Sequence, residues 1–159
     1  MIGQGPLPAP ETRGVVPIVI DLEEAALAGD LGVPAGATGV VLFVHGSGSS
    51  RHSPRNRFVA ERLREAGLGT LLLDLLTGDE ELIDERTRTL RFDIDLLARR
   101  VVGAAAWLTS AARTRHRSVG CFGASTGATH LFEEAGTLEE VADVAARWFA
   151  RHLGNRQGS

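Results

Sequence analysis

The chain contains no lysine and no tyrosine, and only one cysteine in 159 residues. A lone Cys121 excludes an internal disulfide and any cysteine-based zinc site. Lying within the apolar run Val119 to Phe122, it reads as a small buried hydrophobe. All seventeen basic residues are arginine, and the net charge is −3, a balance that does not suggest a nucleic-acid partner. The one basic cluster, Arg113, Arg115, His116 and Arg117, follows a helical stretch, where cations complement the negative end of the helix dipole. No apolar run approaches the roughly 20 residues needed to cross a bilayer, so no membrane span is expected. The segment Met1 to Arg13 lacks the basic start and apolar stretch of a secretory signal, and the expected location is the cytoplasm. His52, His116 and His152 have no partner pattern, so neither a metal site nor a cofactor is expected.

Apolar residues make up 43% and charged residues 23%, the balance of a soluble globular protein. The length fits a single domain over 1–159, with 1–13 and 154–159 expected to be flexible, but it is short for an enzyme built on an eight-stranded sheet. Val15 to Ile20 and Ala26 to Val33 flank an acidic turn and predict an antiparallel strand pair. Val40 to Val44 and Leu68 to Asp74 are apolar runs of the kind found in strands buried on both faces. Ser53-Pro54 is a helix start with serine as N-cap and proline at the first helical position, and Gly67 ends that helix. Thr77 to Glu85 reads as an exposed acidic loop. Leu90, Ile94, Leu97, Val101, Ala105 and Leu108 recur at helical spacing and define a long amphipathic helix with one buried stripe. Val119 to Phe122 is a third parallel strand, and a last helix from about Leu138 to Leu153 opens on a capping box at Thr137 to Glu140. The order, a strand pair, then βαβαβ, then a helix, predicts an α/β fold: a mostly parallel sheet with helices on both faces.

The third parallel strand runs directly into Gly123-Ala124-Ser125-Thr126-Gly127. A serine hydroxyl becomes a useful nucleophile when a sharp strand-to-helix turn lifts it out of the packing and beside a base, and glycines at 123 and 127 suit such an elbow. Ser125 is therefore the candidate nucleophile, and an ordinary strand-to-helix turn is the alternative. His45-Gly46-Ser47-Gly48 follows the first buried strand, from where a main-chain amide can point at the elbow. The amides of Thr126 and Ser47 are the candidate oxyanion donors. A phosphate cradle is the weaker reading, since the loop has no lysine for a P-loop and Arg51 stands where the third glycine of GxGxxG belongs.

On these motifs the chain resembles the dienelactone-hydrolase-like branch of the α/β-hydrolases. Val40 to Asn56, VVLFVHGSGSSRHSPRN, is similar to that branch's first strand and oxyanion loop. Leu71 to Leu76 and Leu90 to Arg100 are similar to its next strand and helix, and FGASTGA to its elbow. Gly127 to Glu134, GATHLFEE, resembles the family segment carrying the catalytic histidine, which implies His130 as general base. In the family a long segment separates elbow from histidine; here the two motifs are fused and share Gly127-Ala128, an apparent internal deletion. The resemblance implies a serine hydrolase acting on carboxylic esters or lactones through an acyl-enzyme.

If a regular helix follows the elbow, Ser125 and His130 lie about 500° apart around its axis and face directions about 140° apart. Contact then needs residues 127–136 to fold back as a loop, or His130 to reach Ser125 of a second subunit. The shortened fold also leaves the strand at 119–122 as an apolar sheet edge, and a homodimer is the expected remedy. Asp74, at the carboxyl end of a parallel strand, is the first candidate for the acid that orients the base; capping of the adjacent loop is the competing role. Asp79, Asp84, Glu133 and Glu134 are looser candidates. Arg51 and Arg55 would favour a carboxylate-bearing substrate, with a solvated surface role as the alternative. The contrasting functional class is a non-catalytic ligand-binding or interaction protein derived from a hydrolase.

Overall fold

A computed structural model describes residues 14–45, 50–124 and 137–154. Five strands form one sheet: β1 (Val15–Asp21), β2 (Ala26–Gly32), β3 (Gly39–His45), β4 (Gly69–Leu73) and β5 (Ser118–Ala124), in the order β1-β2-β4-β3-β5. β2 is antiparallel to both β1 and β4, whereas β3 is parallel to β4 and β5. β1, β3, β4 and β5 therefore all point one way, and the mostly parallel sheet expected from the sequence is present. The apolar runs of β3 and β4 take the central positions because both of their faces are covered. All five residues of β4 and the first five of β3 are buried.

Helices cover both faces, as the alternation of strands and helices predicts. On one face α1 (Pro54–Glu65) and α4 (Thr137–Gly154) pack Val59, Leu63, Ala146, Phe149 and Leu153 against Val41, Phe43 and Leu72. On the other, α3 (Ile94–Ser110) packs Ala104 and Leu108 against Val40, Leu42, Leu71 and Leu73. α1 starts as read, with the Ser53 hydroxyl accepting from the amide of Asn56 and proline in the first turn. α4 lies close to the sheet because two strand positions carry no side chain. A Cβ on Gly39 would sit 2.6 Å from Cβ of Leu153, and one on Gly120 would sit 2.8 Å from the Phe149 ring. Gly39→Ala is expected to destabilise the fold by about 1–3 kcal/mol, the usual range for overpacking, measured as a drop in the urea midpoint without a change in slope.

Three readings are corrected. Thr77 to Glu85 is not an exposed loop: α2 occupies Gly78–Thr87, with a complete capping box between Thr77 and Glu80. Its Asp84 is buried and accepts from the main-chain amide and guanidinium of Arg91. The acidity that suggested a loop belongs to the first turn, where carboxylates favour the positive helix end. The long helix starts at Ile94, after a 3-10 turn at Leu90–Phe92; Ile94 is exposed, and Arg100, outside the expected stripe, is buried. Cys121 is exposed rather than buried, since among the described residues β5 is the edge strand, with β3 as its neighbour. The basic cluster has a structural task as well: Arg117 donates to the carbonyls of Ala37 and Arg113, tying the approach of β5 to the turn before β3.

Candidate active site

The carboxyl ends of β3, β4 and β5 lie side by side. His45 pairs with Ala124, the residue before Ser125, and the pairing of Phe43 with Leu72 brings the end of β3 level with Asp74. The rings of Phe43 and Phe122, paired in the same register, lie 5.1 Å apart beneath this edge. His45 Nε2 accepts a hydrogen bond from the amide of Leu75 at 3.3 Å and stands 3.9 Å from Asp74 Oδ1. At this edge β-strand geometry, rather than long side chains, sets the spacing of the chemical groups.

Asp74 does not project freely from its strand. Its Oδ1 accepts from the main-chain amide of Arg51 at 2.7 Å and its Oδ2 from the Arg51 guanidinium at 3.1 Å. Nε of Arg51 lies 3.7 Å from Asp30 of β2, which Arg57 also approaches at 3.7 Å. Arg51 therefore fastens the end of the loop between β3 and α1 to two strands at once. The sequence reading considered both a capping and a catalytic role for Asp74; the capping bonds are present, and a carboxylate with about four lone-pair sites retains room for a further donor. Arg55 is half-buried in the first turn of α1. Ser125, Thr126, His130 and Ser47 lie outside the described residues, as do Glu133 and Glu134. Asp84 is occupied by Arg91, and Asp79 is exposed on α2.

Glu81, absent from the sequence reading, joins the group. It is half-buried on the first turn of α2. Burial, and then the nearby charge of Asp74, push its carboxyl above the ordinary glutamate range, against the pull of His45 and Arg51. A carboxyl whose folded pKa is raised destabilises the fold once it ionises. Glu81→Gln is accordingly expected to raise stability at pH 7. The gain should disappear as the pH falls to where Glu81 is protonated in both states; thermal melts at pH 7 and pH 4 test it.

A groove of about 550 Å³ lies beside α1 and the outer strands, lined by Val15, Pro17, Asp30, His52, Phe58 and Arg64 among others. It shares Asp30 with the Arg51 network, but neither His45 nor Asp74 lines it, so it is separate from the strand ends. Among the described residues no group of three or more histidine, cysteine or acidic side chains could hold a metal ion. No described helix is long and apolar enough to cross a membrane.

This arrangement, a mostly parallel sheet in which β3 ends at His45 and the neighbouring β5 ends on Gly123-Ala124 of the GxSxG sequence, is a shortened α/β-hydrolase architecture. A dienelactone hydrolase from Anabaena variabilis superposes with a TM-score of 0.83 at 39% identity, over 87% of this chain and 98% of that one. The chain belongs to the α/β-hydrolase superfamily, in its dienelactone-hydrolase-like branch. Est1E from Butyrivibrio proteoclasticus shares the fold, at 16% identity and a TM-score of 0.51, over 69% of this chain and 39% of that one. Two Mycobacterium tuberculosis proteins, from strains CDC 1551 and H37Rv, are 37% identical over 199 residues and bear the name "Putative phosphoribosyl transferase". That match takes in 80% of this chain and 44% of each relative, so the chain spans less than half the length of these curated relatives. Its 199 positions exceed the 159 residues of the chain itself, so the relatives carry residues inside the matched region that are missing here, in agreement with an internal deletion. No protein-family model matches.

Proposed function

We propose that the chain is a serine hydrolase for carboxylic esters or lactones. Ser125 attacks the carbonyl, His130 takes and returns the proton, and the amides of Thr126 and Ser47 hold the oxyanion of the acyl-enzyme pathway. Asp74 orients the base while held by Arg51. The observation carrying this reading is the likeness to the dienelactone hydrolase, joined to a GxSxG pentapeptide at the carboxyl end of β5. His130 serves Ser125 either from a folded-back loop or across a homodimer, which also covers the β5 edge. The site needs no cofactor, and the reading places the protein in the cytoplasm. The transferase name of the mycobacterial relatives belongs to chains of which less than half is matched, and carries less weight than the structural likeness.

Intact-mass labelling with a fluorophosphonate probe tests the reading without a chosen substrate. One adduct per chain, lost in Ser125→Ala and in His130→Ala, supports it. A folded protein that takes no label favours a non-catalytic ligand-binding or interaction protein, the reading supported by the missing internal residues. Arg51 and Arg55 are the cations proposed for a carboxylate-bearing substrate, with Arg51 already shared between Asp74 and Asp30. Arg51→Ala distinguishes binding from positioning. A loss of about 10²-fold in kcat for neutral and anionic esters alike marks positioning, since small misplacements cost that much. A rise in KM confined to anionic substrates marks binding.

A further inference from the structure

The two edges of the sheet are built differently. β1, at one edge, has Pro17 in mid-strand and ends on Asp21, both features that discourage pairing with another chain. β5, at the other, reads Ser-Val-Gly-Cys-Phe-Gly-Ala: seven residues with no proline and no charge, hydrogen-bonded among the described residues to β3 alone. A neutral strand of this length with an open edge offers its unpaired main-chain groups to another strand.

Its sequence is also self-complementary. Antiparallel pairing of β5 with itself about its central residue, Cys121, sets Gly120 opposite the partner's Phe122, Val119 opposite the partner's Gly123, and Cys121 opposite the partner's Cys121. Each large side chain meets a glycine, so no two bulky groups collide across the dyad. Phe149 already covers Gly120 from α4, which gives the incoming Phe122 ring an aromatic neighbour at the same level. The residue at the dyad is exposed and small. A heterologous partner would need its own matching alternation, whereas a second copy supplies it by symmetry.

We propose that β5 pairs antiparallel with β5 of a second copy about a two-fold axis at Cys121, giving one continuous ten-stranded sheet. This specifies the homodimer of the preceding section and rests on that part of it. The carboxyl ends of β3 and β4 lie one and two strands in from the paired β5 edges on each subunit.

The chain's single cysteine makes the test direct, because any thiol-to-thiol link must join two chains through Cys121. Opposed residues in an antiparallel pair have Cα atoms about 5 Å apart, within reach of the shortest bis-maleimide linkers. Sedimentation velocity is expected to give the mass of two chains, and the linker to convert the protein to a covalent dimer. Cys121→Ser should keep the two-chain mass and lose the link. Cys121→Lys, which sets two cations face to face at an exposed position, should give a monomer with an unchanged circular dichroism spectrum. A wild-type monomer overturns the proposal together with the homodimer. A two-chain mass without the link, or a dimer that survives Cys121→Lys, overturns the edge pairing and leaves the homodimer standing. Fluorophosphonate labelling of the same samples reports on Ser125 separately, so failure of the dimer and failure of the hydrolase reading are told apart.

Discussion

Ser125→Ala is expected to lower ester or lactone turnover by at least about 10³-fold, and combining it with His130→Ala to lower it no further. In complete serine hydrolases the nucleophile and base act as a unit. Removing either costs up to about 10⁶ in kcat, and the residual 10³–10⁴ over water comes from the oxyanion hole and binding. The expected drop here is smaller because a smaller starting activity is expected. The acid candidate Asp74 already answers to Arg51 through both carboxylate oxygens, so less of its charge is available to an imidazolium. Turnover of an activated aryl ester by the two single variants and the double variant measures both the drop and the non-additivity. Equal activity in wild type and Ser125→Ala would place any turnover outside the elbow.

Arg100→Ala is expected to cost about 3 kcal/mol. The guanidinium is 1% exposed and donates to both carboxylate oxygens of Glu80, at 2.6 and 2.7 Å, and to the carbonyl of Leu75 at 2.6 Å. Removing one member of such a pair leaves its partner and a carbonyl without their donor, which typically costs 3–5 kcal/mol. The lower end applies because the Glu80 side chain keeps 25% of its exposure. Arg100→Lys should recover only part of the loss, since an ammonium cannot reproduce the two-pronged bond. The side-chain bond from Arg100 is also the main reason the Glu80 carboxyl is held below its usual range. A depressed folded pKa contributes stability that is complete above the ordinary glutamate value and fades as the pH falls through the folded one. Urea midpoints between pH 7 and pH 3 should therefore fall less steeply in Arg100→Met than in wild type.

The strands of this fold were legible because burial on two faces leaves an unbroken apolar run, as in Val40 to Val44 and Leu68 to Asp74. The start of α1 was legible because Ser53-Pro54 combines a cap with a favoured first residue. Arg100 was not, since a charged residue on a helix reads as solvent-facing until its partner is known, and Glu80 lies on a different helix. The partner's own helix is obscured in the sequence for a related reason. Thr77-Gly78-Asp79-Glu80 is a capping-box pattern, but so acidic a stretch also has the composition of a solvated loop. The place of Asp74 at the end of a parallel strand is legible in the sequence, yet its bonds to Arg51, 23 residues away, come from tertiary structure alone. Glu81 is not legible in the sequence because its surroundings, not its spacing, set it apart.

The close approach of α4 also bears on the order in which the chain assembles. Leu153 fills the space over Gly39, and Phe149 the space over Gly120, so one layer of the core joins residues more than a hundred positions apart. Contacts of such long sequence separation slow folding, because loop closure must precede the stabilisation it brings. Until residues near 153 are available, one face of β3 and β5 stays bare while the β5 edge is already apolar and uncharged. The interval between synthesis of β5 and docking of α4 is then when the chain is most exposed to wrong association, and slowing translation after residue 124 should lengthen it.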